Sequence, residues 1–233
     1  MADFFEAGDF TKSLKLADEL VFDKQKFSKI KVELSWEGDD LDLCAFLVDG
    51  NNKVHNKLDL VYFGSMRRWL TEKPFDDDEF NPLKGRVSVW ENDAEKNFKN
   101  DDKWKERTLP LSLDDSVIGS WDDSGSGECG ERMHILLKEV DTRKYKSNNF
   151  AAVVSQSDLE EGKTFSDIKN PYVSIYNAET NKILAEYKLN KSFPGKGSVC
   201  FGKLALDKNN LWKFVAMADA YDGGMFYLAK EVF

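Results

Sequence analysis

The sequence predicts an all-β protein, a β-sandwich of two mainly antiparallel sheets with a few short helical turns in loops. Three observations predict it. Apolar residues recur with period two in run after run. Clusters of Asn, Asp and Gly punctuate those runs as turn signals. No stretch sustains the period of a long helix, and many short strands with frequent turns are the pattern of a sandwich.

The elements follow in order. From Lys29 to Trp36, Ile30, Val32, Leu34 and Trp36 alternate with Lys31, Glu33 and Ser35, a half-buried strand with one wet face. The stretch from Trp36 to Asp49 leads into a run apolar on both faces, so it reads as a strand buried on both sides. Leu58 to Phe63 and Arg86 to Trp90 are shorter strands. Leu109, Leu111 and Leu113 alternate with Pro110 and Ser112, and the proline places this run at an edge or strand end. Met133 to Val140 and Phe150 to Val154 come next. Tyr172 to Tyr176 and Ile183 to Leu189 flank the turn-rich residues 177–182 and form a hairpin. Ser198 to Leu206 and Leu211 to Ala218 flank residues 207–210 and form a second.

Helical signals are few. Ser157 to Glu161 reads as one turn stopped by Gly162. Residues 71–82 and 91–106 are acidic, aromatic-studded connections with room for a helical turn each. Ile118 to Gly130 is rich in Gly, Ser and Asp and reads as a loop, and Asp219 to Gly224 reads as a turn. Trp36, Phe46, Ile175, Phe201, Trp212 and Phe214 are expected to share one interior. No Pro-rich or low-complexity linker splits the chain, so residues 1–233 form one domain, with divergent loops at about 64–86 and 118–132.

Composition narrows the function classes. The 233 residues are 41% hydrophobic and 13% aromatic, ample for a core. No apolar run approaches the roughly 20 residues of a membrane span, and the N-terminus lacks the basic start and apolar stretch of a signal peptide. A cytoplasmic location is expected. The formal charge of −9 argues against nucleic acid as a partner, because the lysines are scattered among acids. Cys44, Cys129 and Cys200 are far apart, and the only histidines are His55 and His134. Neither a disulfide framework nor a zinc site is expected.

The acidic stretch from Trp36 to Asp49 carries the functional signal. Asp40 and Asp42 are two apart, so in extended chain they project to one face while Leu41 and Leu43 project to the other. Carboxylates at the mouth of a buried strand need neutralising. A hard divalent cation, calcium, is the expected neutraliser, with a solvated polar turn as the plainer reading.

The same stretch, "VELSWEGDDLDLCAFLVDGNNKV", resembles the opening of the tellurium-resistance, TerD-type stress-protein domain. Residues 162–224, with "GKTFSDIKNPYVSIYNAETNKILAEYKL" and "KGSVCFGKLALDKNNLWKFVAMADAYDGGM", resemble its second half. The resemblance runs from roughly residue 12 onward, implies a β-sandwich, and is poor over residues 64–132. Family members carry Gly-Asp-Asn, a glycine-rich spacer and Gly-Asp-Asp-Glu as calcium ligands. By position, the resemblance assigns these roles to Asn92, Asp93, Asp101 and Asp102, beside Asp40 and Asp42. Calcium takes six to eight oxygens, and these six residues with nearby carbonyls meet that count. The departures are Glu91, Lys96, Phe98 and Asn100 in place of loop glycines, and Lys103 in place of the final Glu.

Other chemistries find little support. An EF-hand loop beginning at Asp93 would need Gly and Glu where Phe98 and Trp104 stand, and one beginning at Asp122 ends on Met133. No nucleophile elbow or phosphate-cradling loop is present, so no catalysis is expected. Two functions follow. One is a calcium-binding stress-response module working with related or other stress-response proteins. The other is a TerD-like structural or recognition domain that has lost the ion and acts through protein–protein contacts.

Overall fold

A computed structural model describes residues 4–6, 11–23, 26–65, 67–70, 86–90, 108–120, 129–189 and 193–233. The first strands are β1 (Phe4–Glu6), β2 (Lys12–Ser13), β3 (Glu19–Phe22), β4 (Lys29–Gly38) and β5 (Leu41–Val48). A 3-10 turn at Lys57–Asp59 leads into β6 (Leu60–Val61), followed by β7 (Arg67–Leu70) and β8 (Arg86–Trp90). Then come β9 (Thr108–Pro110), β10 (Val117–Gly119), β11 (Cys129–Leu136) and β12 (Ser147–Val154). The last are β13 (Ile168–Asn177), β14 (Lys182–Lys188), β15 (Ser198–Leu206) and β16 (Trp212–Tyr221).

Two sheets form the sandwich. One runs β1-β3-β16-β15-β12-β5-β6 and the other β10-β11-β4-β13-β14-β2, while β8-β7-β9 make a small third sheet. Pairing is antiparallel except for β1 with β3 and β2 with β14. The interior is built by period-two alternation from both sheets. Ile30, Val32, Leu34 and Trp36 of β4 meet Leu41, Leu43, Phe150, Phe201, Trp212 and Phe214 in one cluster. The Phe150 ring stacks at 6.3 Å from Phe201 and 6.1 Å from Phe214. Each such side chain stabilises the fold by roughly 1.5–3 kcal/mol.

Phe46 departs from the expected shared interior. On β5, Cys44, Phe46 and Val48 point away from Leu43, Ala45 and Leu47, and join a second apolar cluster with Ala151, Val153 and Cys200. That outer face is covered by a short helix at Met225–Tyr227 and a π-helical turn at Leu228–Val232. Leu228 and Phe233 are buried against it, with the Phe233 ring 4.8 Å from Phe46. The strand is apolar on both faces because each face has its own cover.

Boundaries differ where polar residues interrupt an alternation. β11 begins at Cys129 and ends at Leu136, earlier than the apolar run alone predicts, and part of the expected 118–130 loop is strand. Glu131 shares the inward register of Met133 and Ile135. Leu109 and Leu111 are buried with Ile118 and Leu136, whereas Leu113 is exposed. The expected turn after Ser157 is a helix at Gln156–Glu160, capped by the Ser155 hydroxyl, which accepts the Asp158 amide at 3.3 Å. β16 continues through Tyr221, so only the end of the expected 219–224 turn is turn. The connections 71–82 and 91–106 lie outside the described residues.

Candidate functional site

The site grows from the turn between β4 and β5. Gly38 has φ +101°, and a Cβ there would stand 2.8 Å from the Asp167 carbonyl oxygen, so glycine is needed for both conformation and space. The turn delivers Asp39 and Asp40 to the helix at Gln156–Glu160. The Asp40 amide donates to Asp158 Oδ2 at 3.1 Å, and the Ser155 amide donates to the Asp40 carbonyl at 3.2 Å. Asp40 is therefore clamped through both sides of its own peptide backbone.

Lys163 closes this clamp. Its Nζ lies 2.7 Å from Asp158 Oδ1, 3.3 Å from Asp39 Oδ1 and 3.3 Å from Glu161 Oε2. The Asp158 carboxylate, next to this ammonium, draws the lysine pKa upward. Burial works to raise the Asp158 pKa, but the hydrogen bonds from Lys163 and the Asp40 amide outweigh it and hold the carboxyl below its ordinary range.

Deeper in, Asp42 and Glu131 are buried, at 6% and 3% exposure. The Leu43 amide donates to Glu131 Oε2 at 2.6 Å. β6 pairs with only Ala45 and Phe46 of β5, so the amide before that pairing is capped by a carboxylate from the opposite sheet. Burial pushes the Cys44 thiol well up, and the Asp42 and Glu131 carboxylates beside it push it further. Cys44 is therefore held as a neutral thiol.

Of the residues singled out in the sequence, Asp40 and Asp42 sit at the start of β5 as expected. Asn92, Asp93, Asp101, Asp102 and Lys103 lie outside the described residues. Among the described residues, no group of three His, Cys, Asp or Glu side chains is placed to hold a metal ion. Sequence reasoning missed Glu131, although the Glu131, Met133, Ile135 alternation carried the signal. It also missed Lys163, for which the only cue was a lysine following two glutamates and a glycine.

The histidines stand elsewhere. His55 Nε2 is 2.8 Å from Asp49 Oδ2, and this contact brings the Asp49 carboxyl down to about 2. His134 is buried on β11, where desolvation and then the charges of Lys31, Arg132 and Lys29 lower its pKa to about 3. Burial also raises the Cys200 thiol to about 12. No helix among the described residues is long and apolar enough to cross a membrane.

Comparison with known proteins places the chain in a family. General stress protein 16U of Bacillus subtilis (strain 168) is 31% identical over 119 residues, covering 50% of this chain and 60% of that protein. A crystal structure of a homologue of telluride resistance protein (TerD) from Streptomyces coelicolor A3(2) superposes with a TM-score of 0.55 at 15% identity. It covers 88% of this chain and 96% of its own. A crystal structure of a protein of unknown function gives a TM-score of 0.57 at 17% identity, covering 87% and 95%. Both share the fold. The TerD domain profile matches residues 110–232, a span that includes Glu131, Asp158 and Lys163 and begins after Asp102. With more than half of its length matched, the chain belongs to the TerD domain family.

Proposed function

We propose that this protein is a non-catalytic, calcium-binding stress-response module of the tellurium-resistance type. The reading is carried by two buried carboxylates at the start of β5, Asp42 of that strand and Glu131, whose Oε2 accepts the Leu43 amide from the opposite sheet. Asp40 stands at the mouth of the same strand, and because the described acids form no group of three placed to hold an ion, the reading needs further ligands. The resemblance extends the proposed ligand set to Asn92, Asp93, Asp101 and Asp102. A bound cation would supply charge neutralisation at the start of β5, and the chain's residues would orient its oxygen ligands. The proposed setting is the cytoplasm, with related or other stress-response proteins as partners.

A second reading has its own support. Lys163 already bridges Asp39, Asp158 and Glu161, which favours an ion-free structural or recognition domain acting through protein–protein contacts. Calorimetric titration with calcium, with magnesium as control, separates the two. The calcium reading expects saturable binding that is lost in Asp42→Asn and Glu131→Gln and weakened in Asp93→Asn and Asp101→Asn. It also expects a melting temperature higher in millimolar calcium than in chelator, because a ligand selective for the folded state stabilises it. No heat and no shift leave the ion-free domain.

A further inference from the structure

We propose that residues 225–233 form a hinged strap that opens as a unit, and that its opening admits a low-molecular-weight disulfide to the thiols of Cys44 and Cys200. This device is independent of any bound ion. The strap covers the outer face of β5, β12 and β15, where Cys44, Phe46, Ala151, Val153 and Cys200 share one apolar cluster. Its hold on that face is apolar. Leu228 and Phe233 are buried in the cluster, and Met225, Ala229 and Val232 pack against it. Among the described residues, the hydrogen bonds and ion pair of residues 225–233 stay within the strap and its hinge. The Leu228 amide donates to the Gly224 carbonyl at 3.1 Å, the Phe233 amide donates to the Leu228 carbonyl at 2.9 Å, and Lys230 pairs with Glu231 at 3.4 Å. Lifting the strap from the sheet breaks none of these.

The hinge stands at a fixed point. The Ser198 hydroxyl donates to the Gly223 carbonyl at 2.7 Å and pins the chain there, and Gly224 follows with no side chain to restrict it. The helix at Met225–Tyr227 has no side-chain cap, and a helix this short is marginal without its packing partners. Phe226 and Tyr227 point outward, 63% and 43% exposed, so they add little burial to the closed form. A segment with so few buried contacts opens ahead of the whole fold.

Closed, the strap keeps both thiols inert, because burial raises each thiol's pKa and the thiolate is the nucleophile. Cys44 and Cys200 stand opposite Ala151 on its two sides, so two strand spacings, roughly 10 Å, separate them. That is beyond the span of a disulfide between the two. Each therefore reacts singly. With the strap open, the thiol gives its proton to solvent and the thiolate attacks one sulfur of the small disulfide. A mixed disulfide forms, the original S–S bond breaks, and the other half leaves as a thiolate. The added group takes the space that Leu228 and Phe233 fill and holds the strap open.

The test uses the full-length chain with Cys129→Ser, which leaves Cys44 and Cys200 as the reacting thiols, and dithiobis(nitrobenzoate) as the disulfide. Labelling is followed by absorbance across low urea concentrations and assigned by mass spectrometry. Both thiols should label under native conditions at a rate that varies weakly with urea, because lifting the strap exposes little surface. Phe233→Ala should label about a hundredfold faster, with the urea dependence still weak. Gly223→Ala places a Cβ 2.3 Å from the Tyr227 Cβ and should also label faster. After labelling, the Leu228 amide should exchange with solvent faster than before. No labelling, or labelling with the urea dependence of global unfolding, overturns the strap. Wild-type rates in both variants overturn its role as a gate. Unchanged Leu228 exchange after labelling overturns the holding-open step.

Discussion

The Leu43 amide donates to Glu131 Oε2 across 2.6 Å, joining β5 of one sheet to β11 of the other. A backbone donor that would otherwise lie unpaired at the end of a short edge pairing is satisfied by a side chain 88 positions away. Glu131→Leu removes the acceptor and leaves that amide buried, at a cost of about 1–3 kcal/mol. Glu131→Gln keeps an acceptor oxygen and should cost less. Urea unfolding of the three proteins checks the order. Equal stability of the leucine and glutamine variants would remove the structural role of the bond.

A second buried acid organises the far end of the 3-10 turn. Asp59 is fully buried and accepts hydrogen bonds from Lys144 Nζ at 3.0 and 3.2 Å, the Tyr145 hydroxyl, and the amides of His55 and Asn56. It ties residues 55–59 to the turn that precedes β12. Asp59→Ala strands these donors and the Lys144 charge, so a loss of about 3–5 kcal/mol is expected. The measurement is the denaturant midpoint. A loss within about 0.5 kcal/mol, typical of surface sites, would contradict it.

Asn148 makes the opposite prediction. It sits one residue into β12, opposite Leu47 and Leu204, at 1% exposure. Neither its Oδ1 nor its Nδ2 has a hydrogen-bond partner among the described residues. Replacing an unsatisfied buried amide by an apolar group of similar size recovers its desolvation penalty, so Asn148→Leu should gain about 1–3 kcal/mol. A lower melting temperature for this variant would show that the amide is satisfied in solution.

His134 sets a pH dependence. Its folded pKa is lowered from 6.5 to about 3 by burial and neighbouring cations. The unfolded state therefore takes up the proton first as pH falls. Stability from this residue is fully present above about 6.5 and is lost progressively as pH falls toward 3. His134→Gln should flatten the stability profile over that interval, read from urea midpoints at stepped pH. An unchanged acid limb would mean that other groups carry it.

Much of the fold was legible because strands and tight turns are local. Ile30, Val32, Leu34 and Trp36 announce their inward face by alternation alone. The tight turns at 49–53 and 207–211 are written in Asp-x-Asn-Asn. Asp49 and Asp207 accept amides two and four residues ahead, and Asn52 and Asn210 take left-handed φ of 62° and 59°. Asp40 and Asp42 were legible as charges at a strand mouth for the same reason.

The rest depended on what the chain folds against. Alternation says that Phe46 and Leu43 face opposite ways, but only the placement of residues 225–233 makes the Phe46 face an interior. Glu131 sits in an inward register, but its role appears only where β6 stops short and the Leu43 amide needs an acceptor. Lys163 reads locally as one more surface lysine and becomes a counter-cation once the β4–β5 turn docks on the helix that precedes it. Local periodicity sets the direction of each side chain; the charge and hydrogen-bond partner each one meets come from segments distant in sequence, and only tertiary packing brings those together.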